Sequence, residues 1–311
     1  MMGGSIQNRG SGTFSHLLRW TVAWILLVPG GIRGDDLSFS GERAYDLLIK
    51  QCDFGPRNPG SPGHEAARKF LAEELRRWAD RVSEQVFEHY DRERRATFQM
   101  ANLIGSFDLE NPRRILLCAH WDTRPFADED ENPENRDKPI LGANDGASGV
   151  AVLLEIARLL RRTGPSIGVD IVLFDGEDYG RPGQWEDYLL GSRHFAKVKG
   201  GNYFPEMGVL LDMVGDADLD LYIERYSYTY FPKIVDRIWD IAAGMGFPQF
   251  HRQVKYAVMD DHIPLIENGI PCIDLIDFDY PYWHTLEDTP DRCSPQSLKI
   301  VGDVLMKVLY P

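Results

Sequence analysis

The residues of this 311-residue chain that could do chemistry stand directly after apolar runs. The run Ile115–Ala119 leads into His120-Trp-Asp122, Val169–Phe174 into Asp175-Gly-Glu177-Asp178, and Val209–Leu211 into Asp212. Asp145 closes Gly142-Ala-Asn-Asp145 just ahead of a helical pattern. The run 270–276 is followed, across a Pro/Tyr loop, by Trp283-His284-Thr285. Singly, each has an ordinary structural explanation: a carboxylate before a helix is a cap, and a lone His in a turn is a hydrogen-bonded surface residue. Together they form a set of imidazoles and hard carboxylate oxygens, which suits Zn²⁺ or a related divalent ion. Gathered without a cation, the same carboxylates would repel one another and raise their own pKa values. Glu177 and Asp178 are adjacent at a strand end and can point different ways, so one can bind the metal while its neighbour stays free. The longer Glu177 is the candidate acid/base and Asp178 the candidate ligand, because a metal-bound carboxylate shuttles protons poorly.

Competing chemistries lack their motifs. His64-Glu-Ala-Ala-Arg68 misses HExxH at its last position, and there is no G-x-S-x-G elbow and no Walker or Rossmann glycine pattern. His16, His64, His89, His194, His251 and His262 are assigned structural roles by default. His262 stands slightly apart because Asp260-Asp-His-Ile-Pro264 precedes the last strand.

A site of this kind needs strands that end together, since ligands of open α/β sheets collect beyond the carboxyl ends of the strands. Apolar runs of strand length at 114–119, 169–174, 208–214 and 270–276 alternate with helical patterns at 146–162, 232–243 and 295–309. Between Glu42 and about Trp78 a helical pattern is broken only by the turn-rich Arg57-Asn-Pro-Gly-Ser-Pro-Gly63. Ser294-Pro295 is a start signal for the last helix. Nearly all-apolar strands separated by amphipathic helices imply a twisted, largely parallel sheet covered on both faces, a three-layer α/β/α sandwich. No repeat or long linker divides residues 35–311, which read as a single domain. The acidic segment Asp128–Asp137 reads as a solvated loop.

Composition bounds the function. With 43% hydrophobic and 26% charged residues the chain is neither disordered nor a disulfide-stapled miniprotein. Its 48 acidic against 34 basic residues leave a net charge of −14, which argues against nucleic acid or an anionic membrane as partner. Residues 1–34 contain no Asp or Glu, carry Arg9, Arg19 and Arg33, and include the apolar run Trp20–Val28 before Gly30, Gly31 and Gly34. This is the pattern of a secretory signal peptide, and the run falls short of the roughly 20 residues of a spanning helix. The expectation is a secreted or periplasmic protein, the alternative being an uncleaved N-terminal anchor. The spacing of Cys52, Cys118, Cys272 and Cys293 matches no zinc or CxxC motif. Cys118 and Cys272 read as buried apolar residues, and pairing of Cys52 with Cys293 stays open.

The series His120-Trp-Asp122, Asn144-Asp145, Glu177-Asp178, Asp212 and Trp283-His284-Thr285 resembles the M28 zinc aminopeptidase superfamily from about residue 41 to the C-terminus. Within it, Asn58-Pro-Gly-Ser-Pro-Gly63, Leu190-Gly-Ser-Arg-His194, Asp260-Asp-His-Ile-Pro264 and the Trp before His284 resemble the glutaminyl-peptide cyclotransferases. That resemblance implies a zinc-aminopeptidase-like fold and conversion of N-terminal glutamine of peptides or proteins to pyroglutamate with release of ammonia. It further implies one catalytic zinc held by Asp145, Asp178 and His284, Glu177 as general acid/base, a carboxylate network of Asp212 and Asp260, and a substrate pocket walled by Trp185 and Trp283. The aminopeptidase pattern would instead use His120, Asp145, Asp178, Asp212 and His284 for two metals, with Asp122 orienting His120. A third reading is an inactive extracellular binding protein of the same fold. Two positions depart from the animal cyclases: Asp178 stands where they have Glu, and Asp274 where they have His.

Overall fold

The computed structural model describes Met1 and residues 3–5, 38–199, 201 and 203–311; the expected signal peptide lies almost wholly outside them. Helix α1 (Gly41–Cys52) starts where the Ser40 side chain accepts the Arg43 N–H, and α2 (Pro62–Trp78) where Ser61 accepts that of His64. The proline- and glycine-rich break between them falls where its composition predicts. Next come β1 (Arg81–Asp91) and β2 (Ala96–Phe107), an antiparallel hairpin. The remaining elements are β3 (Arg114–His120), α3 (Ala147–Thr163), β4 (Gly168–Phe174), α4 (Leu190–Lys199), β5 (Met207–Asp212), β6 (Leu221–Ile223) and α5 (Arg225–Tyr230). They are followed by α6 (Pro232–Gly244), β7 (Phe250–Val254), α7 (His262–Glu267), β8 (Cys272–Ile276) and α8 (Pro295–Leu309). Residues Leu37–Pro311 cluster as one compact unit.

Six strands form one sheet in the order β1-β2-β4-β3-β5-β8, and β6 pairs with β7 in a small second sheet. The four strands β4, β3, β5 and β8 run parallel; β2 joins β4 antiparallel and β1 extends the edge. The expected mixed, largely parallel sheet is therefore present. Its strands alternate faces with the period of two that a pleated backbone imposes. Ile115, Leu117, Ala119, Val209, Leu211, Ile273 and Leu275 enter the larger core with α1, α2, α3, α6 and α8. Leu116, Cys118, Val172, Phe174, Leu210 and Cys272 enter a smaller one with Phe195 of α4 and Leu265 of α7. Helices thus cover both faces.

One open pairing is decided and one expectation is corrected. All four cysteines are buried free thiols, so Cys52 and Cys293 are not paired and serve as small apolar side chains of the larger core. The segment Asp128–Asp137 is not simply solvated: Asp130 is buried and accepts the N–H groups of Asn132 and Leu286, and Asp128 is ion-paired. Among the described residues, no helix is long and apolar enough to cross a membrane.

Candidate active site

The parallel strands β3, β4 and β5 end at a common rim, and each delivers polar side chains there. After β3, the Asp122 carboxylate accepts the backbone N–H groups of Glu177 (3.1 Å) and Asp178 (3.4 Å), which fixes the turn after β4. Its oxygen lies 3.7 Å from His120 Nδ1, outside hydrogen-bond range, so Asp122 holds the neighbouring turn more directly than it holds His120. His120 Nε2 instead lies 3.1 Å from Asp212 Oδ1, at the end of β5, and 3.2 Å from Asp145 Oδ1. Asp145 precedes α3, and its own N–H and that of Asn144 donate to buried Asp288 at 3.1 and 2.8 Å. Gly146 makes this turn with φ 97°; a Cβ there would meet Asp122 O at 2.4 Å, so a larger residue would push into the rim.

Asp145, Asp178 and His284 each offer one ligand atom within 4.8 Å of the others, and all three are buried. His284 Nε2 is 3.3 Å from Asp178 Oδ2 and 3.6 Å from Asp145 Oδ2. Asp178 Oδ2 is buried without a hydrogen-bond partner, the condition of an oxygen that a cation would satisfy. Two carboxylate oxygens and an imidazole nitrogen converging beside a cavity fit a zinc ion with one position open. His120, Asp145 and Asp212 form a second such group sharing Asp145. His284 adopts φ 56°, and the Trp283 ring stacks on its imidazole at 3.8 Å.

Two residues at this centre escaped the sequence reading. Buried Arg124 donates to Asp178 Oδ1 at 2.6 Å and to both oxygens of Asp128, and Asp128 lies 3.4 Å from His284 Nδ1. The signal in the chain is faint: an arginine two positions past Asp122 and an acid inside an acidic loop.

A cavity of about 630 Å³ opens over the ligand group, lined by Glu177, Asp212 and Asp260, with Trp185, Trp283 and Phe278 in its walls. Trp185 is 65% exposed at the mouth. Burial, reinforced by the neighbouring Asp178 charge, raises the Glu177 carboxyl well above the usual range. Burial and the charges of Asp212 and Asp261 do the same to Asp260. Behind Asp260 stand buried Asp261, pushed up to about 7 chiefly by burial, and Asp274, raised well above its ordinary value by burial and by Asp260. His262 opens α7 facing this acidic group, 3.3 Å from Glu224 Oε2 and 3.8 Å from Asp274 Oδ2. His64, by contrast, has the structural role assigned to it, held by Asp175 at 2.9 Å and stacked on Trp121.

His120, Asp145, Asp178, Asp212 and His284 thus lie together in two ligand groups, with Glu177 and Asp260 lining the cavity beside them. Over residues 102–309 the chain matches peptidase family M28. The chain belongs to family M28. A glutaminyl-peptide cyclotransferase from Bos taurus is 26% identical over 285 residues, covering 80% of this chain and 76% of its own. The crystal structure of Porphyromonas gingivalis glutaminyl cyclase superposes with a TM-score of 0.84 at 39% identity, covering 88% of this chain and 98% of its own. A Zn-dependent exopeptidase from Parabacteroides distasonis matches with the same TM-score at 37% identity, covering 88% of this chain and 98% of its own. Within family M28 the chain is thus similar both to cyclases and to an enzyme described as an exopeptidase.

Proposed function

We propose that this M28 protein is a zinc-dependent glutaminyl-peptide cyclotransferase acting on the N-terminal glutamine of peptides and proteins. The carrying observation is that Glu177 and Asp260, both with raised carboxyl pKa values, open into the same cavity as the Asp145, Asp178 and His284 group. Zinc held by those three residues would supply Lewis-acid polarisation of the substrate γ-carbonyl. The substrate's α-amine attacks the side-chain carbonyl carbon, the bond to the amide nitrogen breaks, and ammonia leaves. Glu177 takes the proton from the attacking amine and delivers it to the leaving nitrogen, a task for which a carboxyl raised above its ordinary value is suited. Asp212 and Asp260 line the same cavity and would form a carboxylate network beside it. Trp185 and Trp283 keep the glutamine side chain folded back on its own amine, so that much of the rate gain comes from orientation. We read residues 1–34 as a signal peptide and the working protein as secreted or periplasmic.

A zinc aminopeptidase is the second reading, favoured by the His120, Asp145 and Asp212 group, which could take another ion, and by the exopeptidase relative. One assay separates them. Zinc-loaded protein incubated with an N-terminal Gln amide should release ammonia and leave Leu and Ala amides intact. Free amino acid from the latter without ammonia from the former would overturn the cyclase reading, and silence on all would point to a binding protein.

A further inference from the structure

The loop after β3 carries a charged pair that touches two of the three proposed zinc ligands from behind. The Arg124 side chain is 1% exposed, and every edge of its guanidinium is engaged. Nη1 donates to Asp178 Oδ1 at 2.6 Å, Nε and Nη2 donate to the two Asp128 oxygens at 2.7 and 2.6 Å, and the Tyr188 hydroxyl lies 2.9 Å from Nη2. Asp128 Oδ1 in turn lies 3.4 Å from His284 Nδ1. We infer that Arg124 and Asp128 are a positioning pair that sets the coordination geometry of the zinc site, committing Asp178 to bind through Oδ2 and His284 through Nε2. This rests on the zinc reading above.

The physical case has three parts. Arg124 occupies Asp178 Oδ1, which leaves Oδ2 as the oxygen without a hydrogen-bond partner, 3.3 Å from His284 Nε2. A carboxylate beside one imidazole nitrogen favours the proton there and frees the other nitrogen's lone pair for a metal. Asp178 and His284 also come from different elements, the turn after β4 and the loop after β8, so their relative placement needs a brace. The same loop supplies one: the Glu129 N–H donates to His284 O at 3.2 Å, and Asp130 accepts the Leu286 N–H at 3.1 Å. This steadies a histidine whose backbone lies in the left-handed region.

If Arg124 only neutralised nearby acids, its loss would leave the site more negative and zinc would bind more tightly. Positioning predicts the opposite sign. Lysine keeps the charge but not the planar fork that serves Asp178 and Asp128 together, so it should not rescue. The test uses Arg124→Lys, Arg124→Met and Asp128→Asn, each stripped of metal and reloaded, with Tyr188→Phe as a milder change. Zinc dissociation constants come from chelator competition, coordination from the visible spectrum of the Co²⁺-substituted protein, and folding from thermal unfolding. The expected result is a loss of about 10- to 100-fold in zinc affinity for the first three variants, with an altered Co²⁺ spectrum. Tyr188→Phe should stay close to the parent. Should Arg124→Met not fold, Asp128→Asn on the partly exposed loop decides. Variants that bind zinc as tightly as the parent, or more tightly, with its Co²⁺ spectrum overturn the inference alone. A parent protein that binds neither zinc nor cobalt overturns the zinc reading itself and this inference with it.

Discussion

Glu177 and Asp178 divide two tasks between neighbouring residues because their surroundings differ. Asp178 is held below the usual carboxylate range: burial alone would raise it, but the His284 and Arg124 charges outweigh that. Glu177 is raised by burial and by the Asp178 charge, which outweigh the opposing His120 charge. The proposed roles therefore predict separable losses. Glu177→Gln should retain zinc, measured as metal per chain, while ammonia release from an N-terminal Gln amide falls by about 10²–10⁴. Full turnover in that variant would remove Glu177 from the chemistry. His284→Ala should lose both metal and activity, since His284 supplies the imidazole of the Asp145, Asp178 and His284 group.

Helix α3 acts at the scale of the element. It crosses β5 closely enough that a Cβ on Gly149 would lie 2.4 Å from Leu211 O, and Leu211 directly precedes Asp212. The same end of the helix ties the rim together, with Ser148 Oγ accepting the Val214 N–H and Asn144 Oδ1 accepting that of Gly215. Alanine would gain about 1 kcal/mol of helix propensity at that position, but the obstacle is backbone that cannot rotate away. Gly149→Ala should therefore destabilise by about 2 kcal/mol in urea unfolding. It should also lower activity, because the displacement falls between Asp145 and Asp212. An unchanged midpoint would mean that the helix shifts freely.

The parallel strands carry the candidate site at their carboxyl ends and a structural ion pair near their starts. At the starts of β3 and β4, Arg114 pairs with Asp170 through bonds of 2.6 and 2.8 Å, and Ser106 and Tyr203 donate to the same carboxylate. Burial would raise the Asp170 carboxyl, but these donors hold it below its ordinary value. With the folded value depressed, the stabilisation is present above about pH 4 and is lost as pH falls through the folded value. Asp170→Asn should lower the unfolding free energy at pH 7 by about 3 kcal/mol, and the gap to the parent should narrow below pH 4. Cyclase activity measured under folding conditions should be unaffected. A gap that persists at low pH would contradict the ion-pair account.

Apolar runs and their endpoints were enough to determine the parallel part of the sheet. Strands buried on both faces must be nearly all apolar, and residues at their ends must point toward ligands. The hairpin β1 and β2 was illegible in that way, because β1 is an edge strand that alternates exposed and half-buried residues and has no apolar run. The roles of Asp128, Arg124, Asp274 and Asp288 could be decided only by tertiary structure. Each is a polar residue whose partner lies elsewhere in the chain: Arg124 reaches Asp178, Asp288 reaches Asn144 and Asp145, and Asp274 stands near His262. Residue type and local pattern record what a side chain can do next to its own backbone. They do not record which distant charges folding will bring within a few ångströms, and at a buried site those charges determine whether an acid is a brace, a ligand or a proton carrier.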